Sequence, residues 1–76
     1  MTLNELRYIV AVARERSFGR AAAKCFVSQP ALSVAIQKLE EELGAPLFER
    51  GKSEVTITPV GERIVEQAQK VLEEAA

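Results

Sequence analysis

The chain contains no histidine, no tryptophan and no aspartate, and a single cysteine, Cys25. Each absence removes a class of chemistry. Without His, and with one Cys, the usual donor sets for zinc cannot be assembled. A hydroxyl or thiol nucleophile activated by an imidazole is excluded for the same reason. One cysteine provides no disulfide framework, which fits a reducing compartment, so a cytoplasmic location is expected. No apolar run approaches the ~18 residues that span a bilayer, and the N-terminus lacks a signal-peptide pattern. No metal, cofactor, membrane partner or enzymatic activity is expected.

What remains is a chain of 76 residues, 47% hydrophobic, enough for one domain with a limited core. Its formal net charge of −1 conceals a gradient. From Arg14 to Lys38, five basic residues (Arg14, Arg16, Arg20, Lys24, Lys38) oppose Glu15 alone, a balance of +4. From Ser53 onward, Arg63 and Lys70 face five glutamates, a balance of −3. Salt screens exposed charges beyond ~10 Å, so the basic segment can meet a polyanion while the acidic tail faces elsewhere.

Thr2 and Glu5 form a capping box, and Leu3, Leu6, Val10 and Ala13 give a first amphipathic helix to about Arg16. Ser17 caps a short second helix through FGRAAAKC, with Phe26-Val27 as its apolar exit. Ser28 caps a third helix, in which Pro30 occupies a first-turn position that needs no N–H partner. Leu32, Ile36, Leu39 and Leu43 form its core stripe, Gly44 closes it, and Pro46 follows. The opposite face carries Pro30, Ser33, Val34, Gln37 and Glu41, with Lys38 beside it. That face is neither a core nor an ordinary charged surface, since Ser33, Val34 and Gln37 are small or amide-bearing.

LFER and VTI bracket GKSE as two short strands, with Gly51 at the tip of a hairpin that leans on the helices through Leu47, Phe48, Val55 and Ile57. Thr58-Pro59 opens a last helix that runs to the chain end. It bears two apolar rows: Val60, Ile64 and Val71; and Val65, Ala68, Leu72 and Ala75. One row can close the domain, and the second calls for a partner helix.

The fold class is therefore mainly α with a small β-hairpin, a winged helix-turn-helix followed by a long helix. The division is expected at 1–58 for the winged unit and 59–76 for the dimerisation helix. In such a unit the third helix enters the DNA major groove by its N-terminal turns. Gln29 is the candidate for bidentate reading of adenine, Pro30, Ala31 and Val34 for thymine methyls, Ser33 for a base edge or a phosphate, and Gln37 for a base or a bridging water. Ser28, Arg20, Lys24, Lys38, Arg50 and Lys52 are the candidates for backbone phosphates, Arg50 also for a minor groove. The dimer contact is expected at Val60, Ile64, Val65, Ala68, Val71, Leu72 and Ala75. Cys25 is read as a small buried apolar residue, and Glu40-Glu41-Glu42 as a solvated face that repels phosphates. The alternative is a winged-helix interaction module whose third-helix face binds protein.

The segments FGRAAAKCFVSQPALS, KLEEELGAPLFER and TPVGER together resemble the N-terminal domain of LysR-type transcriptional regulators over essentially the whole chain. Within that family the pattern is most similar to the peroxide-responsive, OxyR-like subgroup. The resemblance implies a homodimer formed through the last helix, tetramers in whole members, and promoter DNA with an interrupted inverted repeat. It also implies a C-terminal effector or redox domain, absent here. The family's base-reading positions match Gln29, Pro30 and Ser33, and its wing arginine matches Arg50. Many members carry arginine where this chain has Val34.

Overall fold

Side-chain caps set where each helix begins. The computed structural model of the chain describes residues 1–75. Helix α1 (Leu3–Glu15) opens on the Thr2–Glu5 capping box, with both reciprocal bonds formed. Helix α2 (Phe18–Lys24) is capped by Ser17, whose hydroxyl accepts from the Arg20 amide. Helix α3 (Gln29–Leu43) is capped by Ser28 and closed by Gly44 at φ +73°, a left-handed conformation that glycine adopts without a steric penalty. Strands β1 (Phe48–Arg50) and β2 (Val55–Ile57) pair antiparallel, with Phe48 opposite Ile57 and Arg50 opposite Val55. Helix α4 (Pro59–Ala75) completes the order; Ala76 lies outside the described residues.

The core lies where α1, α2, α3 and the hairpin meet, around the fully buried Ile9, Val12, Leu32, Ile36, Leu39 and Leu47. Phe18 of α2 and Phe48 of β1 pack edge to face, with ring centroids 6.4 Å apart, a favoured aromatic geometry. As expected, Leu47, Phe48 and Val55 are buried and Ile57 packs against the core. The hairpin is also tied to α1: the Val55 amide donates to the Arg16 carbonyl, and Glu54 pairs with Arg16 at 3.9 Å.

Several expectations are corrected. Leu43, the last residue of α3, is exposed. Val27 packs against the core, but Phe26 turns outward, 94% exposed, because it takes a left-handed φ of 58° in the turn before α3. Glu40 is not simply solvated: its carboxylate accepts from the backbone amides of Leu47 and Phe48, at 2.7 and 3.3 Å, and so anchors the entry to β1. Cys25 is half-buried, not fully. Val65 and Ala68, expected at a partner, are buried within this chain, where α4 packs on α1. That row closes the domain across the expected boundary at Pro59. Val60, Val71 and Ala75 are the members left exposed, with Ile64 and Leu72 partly covered.

Candidate nucleic-acid interface

With Leu32, Ile36 and Leu39 fixing one side of α3 inward, the other side is turned out. Ser28, Gln29, Pro30, Ala31, Val34, Gln37 and Lys38 are all exposed, and Ser33 is partly so. This is the face the spacing of the leucine stripe predicts. At its N-terminal end Pro30 has no N–H, and the Ala31 amide is taken by the Ser28 hydroxyl at 3.2 Å. The Gln29 amide is thus the open backbone donor, beside the Ser28 hydroxyl proton. Gln29 lies against the start of α2, where a β-carbon on Gly19 would meet its Oε1 at 3.5 Å.

The expected cations divide into two groups. Lys24, Lys38 and Lys52 are exposed, Lys52 at the hairpin tip, and none has an ion-pair partner among the described residues. Arg20 is engaged: it donates to the Glu15 carbonyl at 2.6 Å and sits 3.6 Å from the Glu15 carboxylate. Its side chain is two-thirds exposed, so this pair contributes little to stability.

Arg50 ends β1, as the strand reading of LFER expects. Side chains alternate across a strand, so Arg50 follows Phe48 onto the same face, toward α3. Its guanidinium carbon lies 4.0 Å from the centre of the Phe18 ring, and Nη2 donates to Ser33 Oγ at 3.1 Å. The arginine thus bridges β1, α2 and α3. A cavity of about 280 Å³ opens there, lined by Phe18, Ser33, Gln37, Glu40 and Arg50 among others. Sequence reasoning omitted Phe18 and Glu40 from the site; their only signal was an aromatic directly after an N-cap and an acid ahead of a strand.

A second, larger concavity, about 670 Å³, lies apart from this face, between α1, the α2–α3 turn and α4, with Tyr8, Cys25, Phe26 and Leu72 in its lining. Burial raises the Cys25 thiol above its ordinary value, and the Arg7 guanidinium only partly offsets this. The described residues contain no cluster of three or more potential metal ligands and no helix long and apolar enough to cross a membrane.

Comparison with known proteins agrees with this geometry. The sequence pattern of bacterial regulatory helix-turn-helix proteins of the lysR family matches residues 3–62. A hydrogen peroxide-inducible genes activator from Pectobacterium carotovorum is 51% identical over 97% of this chain and 24% of its own length. The chain therefore spans about a quarter of such relatives. Among solved structures, a full-length OxyR variant from Pseudomonas aeruginosa is 68% identical with a TM-score of 0.92, over 99% of this chain and 25% of that one. The BenM DNA-binding domain in complex with benA site 1 DNA is 49% identical with a TM-score of 0.92, covering 99% and 84%. These relatives are regulators, not enzymes. With the order of elements, the solvent-facing side of α3 and the sequence pattern all in agreement, the chain belongs to the LysR family of bacterial regulatory helix-turn-helix proteins.

Proposed function

We propose that this chain is the sequence-specific DNA-binding domain of a peroxide-responsive LysR-type regulator. The observation that carries the reading is the division of α3 into a buried leucine stripe and an open face of Gln29, Pro30, Ala31, Val34 and Gln37. A helix face free of bulky side chains seats deeply in a major groove, where amides and methyls read base edges. Gln29 takes the direct-readout role, with Pro30, Ala31, Val34 and Gln37 around it. Ser28, Lys24, Lys38 and Lys52 hold phosphates, and Arg20 joins them if it exchanges Glu15 for a phosphate. The similarity to a DNA complex of the BenM domain supports the docking mode.

Residues 59–76 act as the pairing helix of a homodimer on a duplex with two inverted half-sites, through Val60, Ile64, Val71, Leu72 and Ala75. The peroxide signal belongs to the remainder of such a regulator. Selection of bound duplexes from a random pool by the purified chain tests the reading. Enrichment of one motif, with salt-sensitive binding that Gln29→Ala weakens by about 1–3 kcal/mol on that motif alone, is the expected result. A pool that stays random after repeated selection overturns it.

A further inference from the structure

Resting on that reading, we propose that Arg50 is a positioning residue for Ser33, holding the Ser33 hydroxyl as a hydrogen-bond donor toward an acceptor atom of the bound duplex.

The argument begins with the floor under Arg50. Phe18 is nearly buried and fixed edge-on against Phe48, so its ring is a rigid surface. The guanidinium stacked on it at 4.0 Å is confined in turn, by a cation–π attraction and by the register of β1. From that position its Nη2 reaches Ser33 Oγ at 3.1 Å. A hydroxyl has one proton and two lone pairs. With a cation bonded to one lone pair, the proton turns away from the guanidinium and the O–H is polarised into a stronger donor. Among the described residues the Ser33 hydroxyl donates to no other group, so its proton is available on the open side of α3. A serine in mid-helix commonly donates back to the preceding turn; here the arginine favours the outward orientation instead.

The chemistry recognised is an acceptor: a purine N7, guanine O6 or thymine O4 in the groove, or a phosphate oxygen. The amino groups of cytosine and adenine meet only the remaining lone pair of Ser33 Oγ, so an acceptor is the favoured partner. Arg50 itself is then not a phosphate ligand, although its charge stands near the DNA.

The test starts from a duplex already enriched by the chain, so failure of the DNA-binding reading would appear earlier, as failure to enrich. Dissociation constants are measured for wild type, Ser33→Ala, Arg50→Lys, Arg50→Gln and the double variant Ser33→Ala/Arg50→Gln. The temperature is one at which circular dichroism shows every variant folded. Each single variant is expected to lose about tenfold, and the double no more than either alone. Arg50→Lys keeps the charge but lacks the planar fork, so it is expected to lose as much as Arg50→Gln, with an unchanged salt slope. Full binding by Arg50→Lys, or losses that multiply in the double variant, would overturn the proposal. A second arm uses wild type and Ser33→Ala on edited duplexes. Base-pair substitutions and 7-deazapurines probe base acceptors, and single methylphosphonates probe phosphates. One edit should weaken wild type about tenfold and leave Ser33→Ala unaffected, and its kind identifies the acceptor. If no edit behaves in this way, Ser33 donates to nothing on the duplex and the proposal fails.

Discussion

Gly61, in the first turn of α4, lies so close to Leu47 that a β-carbon there would overlap the Leu47 carbonyl oxygen and meet Ile57 Cγ1 at 2.9 Å. The same carbonyl accepts from the Thr58 amide at 3.0 Å, and the Thr58 hydroxyl caps the Gly61 amide at 2.9 Å while donating to the Pro46 carbonyl at 2.7 Å. The start of α4 and the entry to β1 are thereby locked together. The helix needs glycine here for close approach, not for backbone freedom.

Gly61→Ala should therefore destabilise the domain even though alanine is the better helix former. The gain in helix propensity is at most ~1 kcal/mol, whereas overpacking against a backbone carbonyl costs about 1–3 kcal/mol. Thermal unfolding followed by circular dichroism should show a Tm about 5–10 °C lower. An unchanged or raised Tm would mean that α4 shifts freely against Leu47.

Glu40 carries the second prediction. Its carboxylate satisfies the Leu47 and Phe48 amides, both of which lie at the edge of the core. Glu40→Ala leaves those donors without a protein partner at a partly buried site, a loss of about 1–2 kcal/mol. Hydrogen exchange should accelerate first at Leu47 and Phe48, and the motif enriched by the variant should be unchanged, since Glu40 orders the wing and reads no base. Exchange at those two amides as slow as in wild type would contradict this role.

These cases show what is legible in the sequence and what is not. The caps at Thr2, Ser17, Ser28 and Gly44 act within a few residues, so local pattern reveals them. The inward stripe of α3 follows from its period, and with it the open face that carries Gln29 and Gln37. The bonds of Glu40 to Leu47 and Phe48, of Arg50 to Ser33, and the contact of Gly61 with Leu47 join segments whose approach only the packed core decides. A run of three glutamates reads as solvated surface, and nothing local marks its first member as an anchor. Phe26 misleads for another reason: an apolar residue reads as buried, but the left-handed turn it occupies points it outward.

Cys25 should behave as a structural thiol. Burial holds its folded-state pKa above the ordinary 9.0, and its Sγ–H points to the Arg7 carbonyl at 4.0 Å. A raised folded-state pKa contributes stability that is present below about 9 and disappears as pH climbs through the folded value. The Tm difference between wild type and Cys25→Ser should accordingly narrow or reverse above pH 9. At neutral pH iodoacetamide should modify Cys25 more slowly than free cysteine, because little thiolate is present. Rapid alkylation at pH 7 would instead mark it as a reactive thiol.

The two apolar rows of α4 should separate cleanly under mutation. Val71 is 43% exposed, while Ala68 is 1% exposed against α1. Val71→Glu places a charge on the open row and removes nothing from the core. It should retain the helical spectrum but sediment as monomer at concentrations where the proposed wild-type dimer forms. Ala68→Leu overpacks the buried row, and should lower Tm at every protein concentration by the order of 1–3 kcal/mol that such insertions cost. Pairing doubles the DNA contacts only when two half-sites are present. Val71→Glu should therefore weaken binding to a two-half-site duplex far more than to a single half-site. Equal losses on both duplexes, or sedimentation identical to wild type, would remove Val71 from the pairing surface and leave the open row of α4 without that role.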